Sequence, residues 1–228
     1  MILEVVFEDE DLIAINKPHG LFVHRTKLDV DADQFVIQIL RDQIGQKVYP
    51  CHRLDRKTSG VLLLAKSPQI LALINEQFRD RVVDKSYLAI VRGYTDVSGT
   101  IDYPLVSEKG KSQDAVTNYK TLSKGEIPIS SGKFPTSRYS LVDVKPATGR
   151  MHQIRRHLSH IFHPIIGDRP HGCNKQNRFF LQQFEMNTMM LHASRLTFDQ
   201  PKTKESISIT ADIHDEFRRM IKELGLTY

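Results

Sequence analysis

The stretch HRLDRKTSGVLLLAKSP, residues 52–68, joins a charged loop to an apolar run and a helix start. The run GVLLLA at 60–65 predicts a buried strand, because short apolar runs bounded by turn residues are typical of strands covered on both faces. Ser67 and Pro68 predict the N-cap and first turn of a helix that continues to about Arg81. The charged loop therefore lies directly before a rigid, buried element.

A single carboxylate, Asp55, stands in this loop between Arg53 and the pair Arg56–Lys57. Because nearby positive charge favours the charged form of an acid, we expect Asp55 to be ionised at neutral pH. An ionised carboxylate is a poor proton donor, but it can act as a nucleophile, a base or an electrostatic stabiliser. The loop alone leaves these three roles open.

Composition limits the class of protein. The chain has 228 residues, of which 40% are apolar and 26% charged, as expected of one globular domain over 1–228 or two tightly joined subdomains. No apolar run reaches the length of a membrane span, and the acidic N-terminus lacks the pattern of a signal peptide. Two cysteines, Cys51 and Cys173, make no disulfide framework, so we expect a reducing cytoplasm.

Charge is unevenly distributed along the chain. The net charge is +5, yet residues 145–178 carry seven Lys or Arg against one acid, Asp168, whereas the first twelve residues carry five acids and no base. A basic segment of this kind is typical of a protein that binds a phosphate backbone. A solvated charged face would give the same pattern, so charge alone leaves both interpretations open.

Apolar periodicity predicts an α+β fold around a mostly antiparallel sheet with flanking helices. We expect a loop insertion at about 123–137, where Gly, Pro and Ser make up eight of fifteen residues. Helices are predicted over 35–44 before Gly45, over 67–81, on the face formed by Met151, Ile154, Leu158 and Ile161, and over 213–224. Strands are predicted at 2–7, 11–16, 60–65, 85–92, 115–122, 137–145, 188–198 and 205–210.

A second informative stretch, PATGRMHQIRRHLSHIFHPIIGD at 146–168, starts a helix just after a Thr-Gly turn. The unpaired N–H groups of a helix start favour anions, and Arg150, Arg155 and Arg156 lie close to it. These arginines could also be ordinary surface cations. The four histidines of the stretch lack both HExxH spacing and a cysteine partner, so we interpret them as RNA-facing or core-edge groups and expect no metal.

Other motifs are weak when taken singly. Cys51 is more simply a small buried residue than a nucleophile, and NKPHG at 16–20 has no chemical specificity of its own. Tyr87 is expected to be a half-buried strand aromatic with its hydroxyl in solvent. The chain contains no GxSxG, P-loop or GxGxxG motif, so hydrolase, kinase and dinucleotide-binding functions have no support.

Together the segments resemble the RluA-type pseudouridine synthases. The resemblance covers residues 2 to about 210, in the family's order, and is carried by NKPHGLFVH, HRLDRKTSGVLLLAKS, KSYLAIVRG, TGRMHQIRRHLSHIFHPIIGD and LHASRLTF. It implies the pseudouridine synthase fold with a central RNA-binding cleft. Many relatives also have an N-terminal S4-like module, whereas this chain opens directly on the catalytic pattern. We therefore expect the catalytic domain itself to recognise its target.

Within the family the chain is most similar to members that modify uridine 65 in the T-stem of tRNA. This similarity is carried by VHRTKLD (23–29), RDQIGQKVYPCHRLDR (41–56), FPTSRYSLV (134–142), and GDRPHG (167–172) followed by KQNR. Family members commonly have tyrosine where His171 stands, which weakens any inference from ribosomal-RNA members at that position. A ribosomal-RNA target remains the alternative within the family.

The resemblance implies an isomerase that breaks the N1–C1′ bond of a uridine, turns the uracil and rejoins it through C5. No redox step or net hydrolysis occurs, so no cofactor or metal is expected. Asp55 corresponds to the family's catalytic aspartate, which either attacks C1′ or removes the C2′ proton. The sequence does not distinguish these two routes.

The resemblance also implies roles for other residues. Arg155 would pair with Asp55 and keep it charged, and Tyr87 would stack on the uracil and help to remove the C5 proton. Ile154 would help to form the wall of the base pocket, and Arg53 would fill the gap left by the flipped base. Further RNA contacts are expected from Arg56, Arg150, His152, Arg156, Arg169, Lys175 and Arg178.

Two other classes of protein stay open at this point. The chain could be a non-catalytic RNA-binding protein, although binding alone needs no carboxylate facing a polyanion. It could also be a metal-dependent nuclease that uses the histidine cluster, which an experiment with EDTA would test. The resemblance suggests a monomer that needs no protein partner.

Overall fold

The computed structural model describes residues 1–24 and 34–228, which form two compact units. The first unit comprises Met1–Lys85 and Ala193–Ile213, and the second comprises Ser86–His192 and His214–Tyr228. Most of the sequence VHRTKLD, which supported the resemblance to tRNA-modifying members, lies outside the described residues.

The first unit is built on short antiparallel strands. Strand β2 pairs with β1 and with β4, β3 also pairs with β4, and β11 pairs with β12, with these bounds: β1 (Glu4–Glu8), β2 (Leu12–Lys17), β3 (Tyr49–Pro50), β4 (Ser59–Ala65), β11 (Leu191–Asp199) and β12 (Ser206–Thr210). Two helices accompany them, α1 (Val36–Ile44) and α2 (Pro68–Arg79). The predicted hairpin and both predicted helices are confirmed.

Strand β4 is buried along its whole length, as the apolar run predicts. Its side chains share a core with Ile70 and Ile74 of α2. The Ser67 hydroxyl accepts a hydrogen bond from the Ile70 amide at 3.3 Å, which confirms the predicted N-cap. The helix ends at Arg79, two residues earlier than predicted. Because β4 is held on both of its faces, the loop that precedes it starts from a fixed point.

The second unit is also mostly antiparallel. Its strands follow the order β5-β10-β9-β6, and β7 pairs with β8, with these bounds: β5 (Asp84–Arg92), β6 (Ser98–Asp102), β7 (Leu105–Val106), β8 (Ser112–Gln113), β9 (Val116–Ile127) and β10 (Ser137–Pro146). Three helices follow, α3 (Gln153–His160), α4 (Asn174–Phe184) and α5 (Asp215–Glu223). Helices and antiparallel strands without regular alternation confirm the α+β class.

Two sequence-based predictions are corrected in the second unit, and one helix was missed. Residues 123–127 belong to β9, so the loop insertion is confined to 128–136. Met151 precedes α3 and is exposed, so it is not part of the buried helical face. Helix α4 was not predicted. Among the described residues, no helix is long and apolar enough to cross a membrane.

Candidate functional site

Asp55 is half-buried at the first position of a tight turn immediately before β4. The Thr58 amide donates a hydrogen bond to the Asp55 carbonyl at 3.0 Å and closes the turn. Upstream, the loop is bonded to the middle of β4, because the Cys51 amide donates to the Leu63 carbonyl at 3.0 Å. The carboxylate thus stands on a short loop that is fixed at both ends.

His52 serves this loop as a hydrogen-bond acceptor. Its Nε2 accepts from the Leu63 amide at 3.1 Å, which requires the neutral ring. Burial, with a further contribution from the charge of Lys85, lowers the pKa of His52 to about 4, so the ring is neutral at physiological pH. Its neighbour Cys51 is buried, as predicted, and burial raises the pKa of this thiol to about 12. These values argue against a reactive Cys-His pair.

Lys17 supports the turn of Asp55 through a hydrogen bond to its backbone. It is fully buried, and its ammonium donates to three carbonyls: Pro18 at 2.9 Å, Leu21 at 2.8 Å and Arg56 at 3.1 Å. Burial lowers the pKa of Lys17 to about 7, and the negative charge of Asp55 offsets part of that effect. The Lys17 amine, which carries a charge below about pH 7, therefore lies within electrostatic reach of the candidate catalytic carboxylate.

The segment NKPHG, to which the sequence gave no chemical role, is thus the support of the Asp55 turn. The Gly20 amide donates to the Arg56 carbonyl at 2.9 Å, and Arg56 Nε donates to the Gly20 carbonyl at 3.0 Å. The guanidinium of Arg56 also lies 4.7 Å from the centre of the Phe22 ring. A lysine at the end of the apolar strand LIAINK was the signal that could have identified this support. Arg53 is exposed, as an RNA contact requires.

In the second unit, Tyr87 lies on β5 opposite Val144 of β10. It is half-buried, in agreement with the prediction for a strand aromatic. The residues that follow it, from Leu88 to Val91, are buried, so β5 is anchored in the core beyond Tyr87. Its ring is therefore carried by a rigid strand.

Arg155 lies on the buried side of α3, with 7% of its side chain exposed. Its Nε and Nη2 donate to the two carboxylate oxygens of Asp168, each at 2.8 Å, and Asp168 is 1% exposed. A bidentate pair of this kind fixes the plane of the guanidinium. These two bonds use two of the five N–H donors of the arginine side chain. The predicted pairing of Arg155 with Asp55 stays a prediction.

Gln153 organises the Thr-Gly-Arg turn before α3. Its side-chain oxygen accepts from the Thr148 hydroxyl at 2.7 Å and from the Arg150 amide at 3.0 Å. Its nitrogen donates to the Val116 carbonyl and to the Thr117 hydroxyl, both at 2.9 Å. One buried amide thus joins the helix start to strand β9, a role that sequence patterns did not indicate.

The chain of hydrogen bonds continues to His157, which corrects its assignment to an RNA-facing or core-edge surface. His157 is fully buried, with Nδ1 2.9 Å from the Thr117 hydroxyl and Nε2 3.0 Å from the Tyr103 carbonyl. Because a carbonyl only accepts, Nε2 carries the proton and Nδ1 accepts from Thr117. Burial lowers the pKa of His157, in agreement with a neutral ring.

The loop GDRPHG holds the carboxylate that binds Arg155. The side chain of Asn177 on α4 accepts a hydrogen bond from the Gly167 amide at 3.0 Å and donates one to the Asp168 carbonyl at 2.7 Å. The His171 amide donates a hydrogen bond to the Asp168 carboxylate at 3.3 Å, and the ring Nε2 of His171 lies 2.9 Å from Nδ1 of His152. His152, which we predicted as an RNA contact, is therefore also part of the Arg155 surroundings.

The remaining predicted RNA contacts fall into two groups. Ile154 is buried, and the half-buried Arg150 and Arg156 donate to the carbonyls of Asp114 and Val106, each at 3.0 Å. These two arginines have structural contacts in addition to any contact with RNA. Three other cations have exposed side chains: Arg169, Lys175 and Arg178.

Metal ligation has no geometric support in the ranges 1–24 and 34–228, where no three His, Cys, Asp or Glu side chains are grouped to hold an ion. The histidines of the second stretch are dispersed: His157 bonds to Thr117, His163 lies 2.8 Å from the Arg92 carbonyl, and His160 stacks on Tyr103. That the chemistry needs no metal stays a prediction.

The class of protein is given by a sequence model described as RNA pseudouridylate synthase, which matches residues 11–160, more than half of the chain. The chain belongs to this family. Among curated relatives, "tRNA pseudouridine synthase C" of Pasteurella multocida is 49% identical over 97% of this chain and 96% of its own. The protein of the same name from Vibrio parahaemolyticus is 46% identical over 96% and 93%.

Solved structures have a similar fold. Human RNA Pseudouridylate Synthase Domain Containing 4 has a TM-score of 0.78 and 26% identity, covering 99% of this chain and 94% of its own. Human RNA Pseudouridylate Synthase Domain Containing 1 has a TM-score of 0.74 at 23% identity and supports the fold. The fold and family expected from the sequence are confirmed.

Proposed function

We propose that this protein converts a uridine of tRNA, uridine 65 in the T-stem, to pseudouridine, as a monomer in the cytoplasm and without a cofactor. Its membership of the pseudouridylate synthase family supports the reaction. The names of relatives that are 46–49% identical over nearly the whole chain support tRNA as the substrate. The observation that carries the proposal is the fixed turn that presents Asp55.

Asp55 begins the reaction as an ionised carboxylate. It either attacks C1′ of the ribose as the N1–C1′ bond breaks, or removes the C2′ proton to give a glycal and a free uracil. The uracil then turns and bonds to C1′ through C5, which breaks the Asp55–C1′ bond in the first route and is accompanied by return of the proton from Asp55 to C2′ in the second. The C5 proton is lost, and N1 gains a proton. Substrate and product are isomers, so the electrons balance without an oxidant or reductant. A nucleophile or base must be held in place for either route, and Lys17 and β4 provide this support.

Tyr87 and Arg155 complete the proposed catalytic residues. Tyr87 stacks on the uracil and helps to remove the C5 proton, and its position on the anchored strand β5 suits a stacking role. Arg155 keeps the catalytic carboxylate charged, and its bidentate bond to Asp168 orients the guanidinium before RNA binds. Arg53 occupies the space left by the flipped base, which must leave its stack for the chemistry to reach it.

The test is pseudouridine mapping by carbodiimide modification and primer extension on unmodified tRNA. Wild-type protein should give one new stop in the T-stem, without added metal and in the presence of EDTA. Asp55→Asn should give none, although it binds tRNA with similar affinity. Asp80→Asn is the matched control, because Asp80 is an exposed carboxylate at the end of α2 and its loss should leave activity unchanged.

The alternatives give different results in the same experiment. Stops confined to ribosomal RNA would keep the chemistry and change the substrate. Tight RNA binding without any stop would indicate a binding protein. RNA degradation that EDTA prevents would indicate the nuclease. Full activity of Asp55→Asn would show that the catalytic group lies elsewhere.

A further inference from the structure

The GDRPHG loop, which contains Asp168 of the Arg155–Asp168 pair, is held by several hydrogen bonds. Asn177 binds the backbone on both sides of the loop's first peptide, at the Gly167 amide and the Asp168 carbonyl. A Cβ atom added at Gly172 would overlap the Asp168 carbonyl, so residue 172 must be glycine for the loop to close this tightly. The loop therefore presents the side chain of the preceding residue, His171, in a defined direction.

His171 is bonded at two points. Its amide donates to the Asp168 carboxylate at 3.3 Å, and its ring Nε2 lies 2.9 Å from Nδ1 of His152, with the two rings nearly perpendicular at 67°. The backbone amide of His171 thus contacts the carboxylate that accepts both hydrogen bonds from Arg155. The imidazole ring of His171 contacts His152, the residue immediately before α3, and α3 is the helix that contains Arg155.

His152 needs such support. It has φ 53° and ψ 27°, the left-handed conformation that residues other than glycine rarely adopt, and it caps α3 without a side-chain bond to the helix. Histidine tolerates this conformation better than most residues, although it still costs free energy. The bond from His171 is therefore placed where the backbone leading into α3 is strained.

We propose that His171 is a positioning residue for the isomerisation, which couples the Asp168 carboxylate to the strained start of α3 and so fixes Arg155 from both sides. The inference rests on the proposed function, since the role of Arg155 belongs to it. Loss of the ring–ring bond would leave the Asp168 clamp intact and would release the helix start. The guanidinium would then lose its orientation relative to the substrate.

The coupling depends on protonation of the two rings. A neutral pair shares one N–H between the facing nitrogens, and one added proton can be accommodated on an outer nitrogen. A second proton places hydrogens on both facing nitrogens and breaks the bond. Burial, Arg155, His152 and Arg156 disfavour a charged His171, and Asp168 favours it, so the pKa of His171 is lowered on balance. At neutral pH the bond is therefore intact.

The test compares two variants of one position. His171→Phe keeps an aromatic ring and removes the hydrogen bond, whereas His171→Gln places an amide near the position of Nε2 and cannot titrate. In single-turnover assays on tRNA, the Phe variant should be roughly tenfold to a hundredfold slower, the effect expected of a misplaced catalytic group. The Gln variant should keep most of the wild-type rate, and tRNA affinity should be unchanged in both.

The pH profile separates positioning from general destabilisation. The wild-type rate should fall on acidification below about pH 6.5, the usual pKa of histidine, because the pKa of His171 is lowered and the bond breaks only with the second proton. This fall should be shallower in His171→Gln, which has one titrating ring fewer. A Phe variant as fast as wild type would overturn the proposal. If the Phe variant does not fold, an acid limb identical in wild type and His171→Gln would overturn it. A wild-type protein that forms no pseudouridine in tRNA would instead contradict the proposed function.

Discussion

At the scale of single residues, a fully buried ammonium is the least expected feature of the Asp55 surroundings. Lys17 uses its three N–H donors on three carbonyls, two of its own segment and one of the Asp55 turn. Lys17→Met keeps the length of the side chain and removes this donor from the Pro18 and Leu21 carbonyls, at about 1–3 kcal/mol for each buried group, whereas the Arg56 carbonyl keeps the Gly20 amide. We expect a large loss of single-turnover rate with little change in tRNA affinity, measured by gel-shift titration beside the rate assay.

Lys66→Met is the control for this effect. Lys66 is also in the first unit, and its ammonium binds the Glu8 carboxylate at 2.7 Å and the Asp9 carbonyl at 2.6 Å, away from the Asp55 turn. It should lose stability without losing rate once the protein is folded. Equal rates for the two variants would mean that Lys17 contributes only to folding.

His52 makes stability depend on pH. Its folded-state pKa of about 4 lies below the usual 6.5, so the unfolded chain binds the proton more tightly. The contribution of the neutral ring is fully present above about pH 6.5 and is lost as the pH falls toward 4. Urea unfolding should show this as a loss on the order of 1–2 kcal/mol between about pH 7 and pH 5.

His52→Gln isolates that contribution, because an amide oxygen can accept from the Leu63 amide and does not titrate in this range. Other histidines whose pKa is lowered, His157 and His214 among them, titrate in both proteins and cancel in the comparison. The variant should therefore have the flatter stability profile. Parallel profiles would show that His52 is as easily protonated in the folded protein as in the unfolded chain.

Local charge was enough to select Asp55 as a candidate, because its cationic neighbours are adjacent in the sequence. The bond of Lys17 to the Arg56 carbonyl and the pairing of Asp168 with Arg155 were not predicted. In both cases the two residues are distant in the sequence and come together only in the folded chain. Asp168 is thirteen positions from Arg155, and Lys17 is thirty-nine from Arg56. The residue pattern could identify charged groups, but it could not identify which of them become buried and paired.

At the scale of elements, helices and strands with strongly periodic or continuous apolar residues were predicted correctly, whereas those with a weak apolar pattern were missed. Strand β4 and helix α2 have continuous or well-spaced apolar residues and a clear cap. Helix α4 begins with the polar run NKQNR, and its N-cap, Cys173, makes no side-chain bond to the helix, so no start signal was available. Strands β7 and β8 have two residues each, too few for any period to be recognised.

Gln153 tests how much the helix start depends on one side chain. Gln153→Leu is similar in size and removes four hydrogen bonds. The Thr148 hydroxyl and the Arg150 amide lose their acceptor, whereas the Val116 carbonyl keeps the Ala147 amide and the Thr117 hydroxyl keeps His157. Thermal or urea unfolding should show a loss of about 2–4 kcal/mol, as expected when a buried hydrogen-bond network is broken. The pseudouridylation rate of the folded fraction should also fall, because Arg155 is carried on the helix that begins here.

Gln43→Leu is the matched control for this variant. Gln43 also makes a reciprocal pair with backbone, to the amide and carbonyl of Leu3 at 2.8 and 2.9 Å, but it is exposed on α1. Only two hydrogen bonds are lost there and the side chain itself is exposed, so the stability loss should be smaller than for Gln153→Leu and the rate unchanged. A Gln153 variant that behaves like the Gln43 variant would show that the turn is organised by its backbone alone.

At the scale of the whole molecule, the asymmetry of charge along the chain has a structural counterpart. Several exposed cations of the first unit are paired with carboxylates: Arg41 with Asp42, Arg79 with Glu76 and Asp80, and Lys202 with Asp11. In the basic segment of the second unit, exposed cations stand beside few acids. Because a paired cation releases fewer counterions from RNA, the two sets should contribute differently to binding.

Two triple variants with the same change in net charge test this difference. Neutralising Arg169, Lys175 and Arg178 to alanine should weaken tRNA binding and reduce the slope of log K against log salt by about 2–3, since each phosphate contact contributes about 0.7–0.9. Neutralising Arg41, Arg79 and Lys202 should leave the slope close to that of wild type. Fluorescence titrations over a range of salt concentrations measure both. Equal slopes for the two variants would mean that the RNA responds to net charge and that its path avoids the end of the basic segment.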